Sequence, residues 1–295
     1  MATSQRLSAQ DIYDEVVASG RAELSRSTGA LAFSGLTAGL VMGLTGLGVA
    51  GTRAALPGPG AEFVSMLFYP LGFIAVIVGR AQLFTENTLF PVVLVLETRG
   101  HLLATLRLWV VVLVTNVVGA LVFAALVVKT GALKTPVVDA LTSLGTDATS
   151  PSVAHVFASA VIGGWLVALA AWLVSSAQLT IAQIAVIWLM TFPVGLLHLA
   201  HSIASSDYIL VATVAGKVSA GTYLAWLGAA VAGNIVGGVI IVSLLNFGQV
   251  RVGWRTTRRR ERELAEEARV EQEREDRSEQ EDAREARTSP PPRRD

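Results

Sequence analysis

The sequence predicts an all-α membrane protein of six transmembrane helices, built as two inverted three-helix repeats in which the second and fifth helices are broken. Three observations predict it. Charge avoids the middle of the chain: of 46 Asp, Glu, Lys and Arg residues, 26 lie in the last 45 positions and 7 in the first 26. Residues 27–250 keep only 13, whereas a soluble domain carries about 25% charged residues throughout; this stretch is composed for lipid. Two of its apolar stretches exceed the length of a span and are interrupted by polar clusters. A short polar motif recurs at the distance that separates those interruptions.

The elements follow in order. Residues 1–26 are polar and hold an amphipathic helix at 8–24. Ser8 with Asp11 three positions later is a capping pattern, and Ile12, Val16 and Val17 share one face. Such a helix either lies at the membrane interface or leads, solvated, into the first span. The polar start also reads against a cleaved secretory signal. Residues 27–250 contain six apolar stretches, at 29–51, 63–96, 102–129, 152–176, 179–213 and 219–247. Each supplies the roughly 20 residues that cross the hydrocarbon. Gly35, Gly39 and Gly43 repeat every four residues, as do Gly233 and Gly237, a spacing that lets membrane helices approach closely.

Six spans put both termini on one side. Arg251, Arg255, Arg258, Arg259 and Arg260 follow the last span and place that side in the cytoplasm of an inner-membrane protein. Arg99 agrees, while Lys129, Lys134 and Lys217 then face outward. Residues 251–295 alternate Glu and Arg with almost no apolar face, and Pro290-Pro291-Pro292 stops any helix. They read as a solvated, partly helical or disordered tail.

Asn116-Val117-Val118-Gly119 in the third stretch reappears as Asn234-Ile235-Val236-Gly237 in the sixth, 118 residues later. The same offset carries His201 onto Leu83, inside the interruption of the second stretch. Three spans per half is an odd number, so the halves insert with opposite topology. Paired broken helices in inverted repeats point to a transport site near the bilayer midplane.

The interruptions cover 79–88 and 201–207. Irregular chain at this depth has to be buried or line a cavity. Each break is expected to leave half-helix amides free, with partial positive charge that favours a small anion. Thr85 and Ser205 are placed to cap these half-helices. His201 is the leading functional candidate, because an intramembrane ionisable group is a functional residue by default and imidazole can relay a proton or pair with an anion. His198 and His155 read as structural.

These segments resemble the formate/nitrite transporter family over about residues 23–250. Ala81-Gln82-Leu83-Phe84-Thr85 is similar to that family's loop within the second helix, and His201-Ser202-Ile203-Ala204 to its central histidine motif. Asn116-Val117-Val118-Gly119-Ala120 and Gly233-Asn234-Ile235-Val236-Gly237-Gly238 resemble its third- and sixth-helix signatures. The string from Gly79 to Leu89 looks closest to the YfdC-like branch. The resemblance implies an aquaporin-like fold, a homopentamer with one pore per protomer, and a small monovalent anion such as formate, nitrite or hydrosulfide, moved with a proton. It further implies His201 as the central histidine with Thr85 as its hydroxyl partner. Leu83 and Phe84 fall at the cytoplasmic constriction, and Tyr69, Phe73 and Val194 near the apolar collars.

The chain departs from that pattern. The family's vestibule lysine has no counterpart in 145–157, where only His155 is basic, and small or apolar residues around Gly163, Gly164 and Trp165 replace an asparagine. Glu86 and Asp207 sit in the first turns of the expected half-helices, where carboxylates would satisfy the same amides. Ionised and facing the pore, they oppose anion entry and favour a neutral or cationic solute. A third class is a non-transporting scaffold that uses the charged tail to bind a partner. Zero cysteines and four histidines, with no nucleotide motif or clustered metal ligands, argue against an enzyme; neither a cofactor nor a nucleic-acid partner is expected.

Overall fold

The computed structural model describes residues 7–56 and 58–253, with 264–266, 269 and 272 of the tail. The tail reading therefore lies almost wholly outside the described residues. The first helix, α1 (Ala9–Ser25), precedes the first span, α2 (Thr28–Ala55). The second span is α3 (Ala61–Met66) and α4 (Leu71–Val78), then unwound chain, a 3₁₀ turn at Glu86–Thr88, and α5 (Phe90–Thr98). The third is α6 (Leu102–Lys129), followed by α7 (Thr135–Ala148) and the fourth span, α8 (Val153–Ser176). The fifth divides into α9 (Thr180–Leu196) and α10 (Ala204–Val214). The last starts as α11 (Ala220–Ile235) and continues as a π-helical stretch, Val236–Leu244.

Among the described residues, five helical stretches are long and apolar enough to cross a membrane, with α3 and α4 taken together. The fifth span falls short in each piece because the break cuts it in two. Serines start three of the spans: Ser27, Ser152 and Ser219 each accept the amide three residues on. α7 has no counterpart in the hydrophobic stretches of the sequence. It is too short and too polar on one face to register as a span.

Close packing on glycine holds each half together. α2 lies against α6, where a Cβ on Gly35, Gly39 or Gly43 would overlap Thr115, the Asn116 carbonyl or the Phe123 ring. α8 lies against α11 in the same way, and a Cβ on Gly233 or Gly237 would overlap the carbonyls of Phe157 or Val161. In lipid such close approach replaces the hydrophobic effect as the source of association.

The capping box of α1 forms as its sequence predicts, with Ser8 Oγ accepting from the Asp11 amide at 3.2 Å and Asp11 accepting from the Ser8 amide at 2.8 Å. The helix is not a free lead-in, however. Its buried line is Tyr13, Val16 and Gly20, and it packs along α5: a Cβ on Gly20 would overlap the Phe90 carbonyl, and Tyr13 donates to Glu97 at 2.7 Å. Tyr13 also meets Phe247 of the last helix, ring centroids 6.3 Å apart. The start of the chain and the end of the last span thus share one face of the bundle.

The second break differs from its expected limits. The chain unwinds at 197–203, and Ser205, Ser206 and Asp207 belong to the first turn of α10. Polarity marked the helix start and missed the unwound residues, because Leu197, Leu199 and Ala200 look like ordinary membrane helix.

Candidate functional site: a histidine between two cavities

The two breaks obey one backbone pattern. α4 ends with the amides of Gly79, Arg80 and Ala81 on the carbonyls of Ala75, Ile77 and Val76; α9 ends with Leu197, His198 and Leu199 on Pro193, Gly195 and Val194. Every pair is related by the offset of 118. Arg80 and His198 accordingly take the same left-handed conformation, with φ of 58° and 49°. Both are side chains forced into a backbone region that glycine usually fills at helix ends.

Asn116 and Asn234 then clamp the returning chain. Asn116 Oδ1 accepts the Phe84 amide at 2.9 Å, and its Nδ2 donates to the carbonyls of Gln82 (2.9 Å) and Gly35 (2.8 Å). Asn234 repeats this with the Ser202 amide (2.8 Å) and the carbonyls of Ala200 (3.1 Å) and Ala160 (2.8 Å). Ser34 and Ser159 complete the symmetry by accepting the amides of Gln82 and Ala200. The asparagines are therefore fasteners behind the breaks.

The expectation of free half-helix amides is overturned at the second break. In the second break, the amides of Ala200, His201, Ser202, Ile203 and Ala204 all donate to side chains. Glu86 and Asp207 accept none of them, and Thr85 makes no cap. Ser205 takes the His201 amide at 3.4 Å from within α10. The principal cap is His201 itself, whose Nδ1 accepts from Ile203 (3.3 Å) and Ala204 (3.0 Å). Nitrogen can serve there as readily as the oxygen of Asn or Ser, a choice the usual capping residues do not suggest.

That cap fixes the imidazole. With Nδ1 occupied as an acceptor, the hydrogen of the neutral ring sits on Nε2. Nε2 lies 2.8 Å from Thr85 Oγ1, so it donates there and leaves the threonine hydroxyl hydrogen free. The ring is fully buried, with Phe73 edge-on at a centroid distance of 4.9 Å and Tyr69 5.8 Å beyond Phe73.

Cavities open toward this centre from both faces. One, of about 310 Å³, is lined by Tyr69 and Val194 with Arg53, Glu62, His155, His198, Ser205 and Tyr208. The other, of about 550 Å³, is lined by Leu83, Arg80, Gln82, Glu86 and the Asp11, Glu15, Ser19 and Glu23 side of α1. Arg53 stands at the far end of α2 from α1, so the cavities belong to opposite faces. Tyr69 and Val194 line the first cavity and Leu83 the second, while the Thr85–His201 pair and Phe73 are buried and line neither. Phe84 is likewise buried and lines neither cavity, its ring packing on Trp109 at a centroid distance of 6.0 Å. Asp207 also lines neither; it is fully buried and neither carboxylate oxygen has a hydrogen-bond partner among the described residues.

Sequence reading missed Arg53. It pairs with Glu62 at 3.3 Å, and His198 reaches the same carboxylate oxygen at 3.2 Å. An arginine in the last turn of a span was the available signal. It brings into the first of these cavities a permanent positive charge that the 145–157 segment lacks.

The profile of the formate/nitrite transporter family matches residues 10–248. The chain is 34% identical over 248 residues to the inner membrane protein YfdC of Escherichia coli (strain K12), covering 82% of this chain and 79% of that one. It is 31% identical over 233 residues to a probable formate transporter of Methanothermobacter thermautotrophicus, covering 73% and 82%. Among solved structures it is similar to an FNT family ion channel, with a TM-score of 0.69, 20% identity and coverage of 80% and 97%. It is also similar to a pentameric formate channel with formate bound, with a TM-score of 0.65, 18% identity and coverage of 76% and 98%. The fold is the aquaporin-like one of these channels.

Proposed function

Because the chain belongs to the formate/nitrite transporter family, we propose that it is a membrane channel for a small monovalent anion or its conjugate acid, of the kind of formate, nitrite or hydrosulfide. The observation that carries this reading is the Thr85–His201 pair, 2.8 Å apart and buried between cavities that open on opposite faces. Phe73, Leu83, Val194 and the Tyr69 ring form apolar collars around it, which a hydrated ion cannot cross. A small solute sheds water at the collars and regains hydrogen bonds at the centre, from the Nε2 hydrogen and the threonine hydroxyl.

A second ring proton would have to land on Nδ1, which two amides already occupy. Proton coupling through His201 therefore requires the α10 cap to open. The protein assembles as a homopentamer in the inner membrane, one path per protomer, with both termini cytoplasmic and no cofactor. Support comes from the pentameric formate channel among its structural neighbours, the inner-membrane relative, and the arginines after the last span.

Purified protein in liposomes is expected to take up formate faster than formamide, a neutral solute of similar size. A second reading, a neutral or cationic solute, draws on Glu86, Glu15 and Glu23 around the α1-side cavity. Glu86→Gln separates the two. Under the anion reading it leaves formate uptake equal or faster, since a carboxyl that can carry negative charge beside the path is removed. Flux of methylammonium or formamide that exceeds formate flux and is lost in Glu86→Gln selects the second reading.

A further inference from the structure

Two places break the two-fold symmetry of the fold, and they touch. Val236–Leu244 of the last helix is π-helical, whereas residues 118–126, its equivalents in α6, are ordinary α-helix. The first break ends in the 3₁₀ turn Glu86–Thr88, whereas the second enters α10 directly. π-helical winding is rare and concentrates at functional sites. Here it sets two residues against Thr88. A Cβ on Gly238 would overlap the Thr88 hydroxyl, and the fully buried Ser243 Oγ lies 3.1 Å from both the Thr88 and the Gly238 carbonyl oxygens. Rewound as α-helix, the stretch would carry Ser243 around the axis and away from the turn.

The contact leads to the centre of the path in two steps. Thr88 donates its hydroxyl to the Thr85 carbonyl at 2.7 Å, and Thr85 carries the hydroxyl that meets His201 at 2.8 Å. Neither Gly238 nor Ser243 approaches the imidazole, so any effect they have on it passes through the turn. We propose that the π-helical segment, acting through Gly238 and Ser243, is the positioning element that aims the Thr85 hydroxyl at His201. A displacement of the turn by about 1 Å takes that pair out of hydrogen-bond range. Gly238 admits the turn close to the last helix, and Ser243 ties down its final carbonyl.

The inference rests on the reading of Thr85 and His201 as the polar step of permeation, and its test carries a readout that does not depend on transport. The ring ¹⁵N signals of His201 are recorded by solid-state NMR of the full chain in lipid bilayers, assigned by their loss in His201→Asn. Thr85→Val removes the hydroxyl and supplies the reference shift of Nε2. Ser243→Ala and Thr88→Val are expected to move Nε2 in the same direction, and each to slow formate uptake by about three- to tenfold, the range of one neutral hydrogen bond. Ile240→Ala, exposed on the same segment, is expected to leave both unchanged. An Nε2 signal unmoved in both Ser243→Ala and Thr88→Val, while Thr85→Val moves it, overturns the proposal. Absence of formate uptake in the unaltered protein refutes the permeation reading alone, and the ring signals still decide the positioning role.

Discussion

Asn116→Leu and Asn234→Leu are each expected to abolish the folded, extractable protein, the largest effect of any single substitution away from the path. Each asparagine makes three hydrogen bonds to backbone groups of a break and of a neighbouring span. Leucine fits the volume but removes all three partners. The released groups lie in hydrocarbon-depth protein, where no water replaces the lost bonds. A buried group left unpaired costs roughly 1–3 kcal/mol, so three approach the ~5–15 kcal/mol by which proteins of this kind exceed unfolding. Size-exclusion chromatography and thermal unfolding in detergent check this. A wild-type profile for either variant contradicts the clamp assigned to these residues.

His201→Asn is expected to leave a folded protein whose formate uptake falls roughly ten- to a hundredfold, the range of a hydrogen bond to a charged partner. The distinction from the clamps lies in what asparagine retains. Its side-chain oxygen can accept the Ala204 amide, as asparagine does at helix starts, so α10 keeps a cap. It cannot reach Thr85 with a donor as the imidazole does, and the apolar collars then face each other without a polar step. While the α10 cap holds, the ring stays neutral, so the pH response of uptake is expected to persist in the variant. Liposome uptake between pH 5 and 8 checks both. An unaltered rate removes His201 from the mechanism.

Much of this is written openly in the sequence. The six spans, the capping box of α1 and the paired breaks follow from hydropathy, capping chemistry and one recurring Asn motif, because each leaves a local mark. The 118-residue repeat proved to run through individual hydrogen bonds, down to the left-handed Arg80 and His198. What stayed hidden depends on tertiary partners. Of the unwound residues 197–203, Leu197, Leu199 and Ala200 look like membrane helix, and only the clamp and the serine behind them show that they are not. The amides of the second break look free until Asn234, Ser159, Ser205 and the His201 ring are seen to take them. Phe84 resembles a collar residue by position, yet its ring is drawn to Trp109. Arg53 is distant in sequence from every motif, and the π-helical winding of the last span has no compositional signature at all.

The path past Thr85 is open to a direct measurement, because the chain contains no cysteine and a single Thr85→Cys substitution introduces the one reactive thiol. Silver ion or methyl methanethiosulfonate added to liposomes bearing this variant is expected to stop formate uptake, with formate itself slowing the modification. Complete modification of the thiol with undiminished uptake would place the permeation route elsewhere and contradict a path between Thr85 and His201.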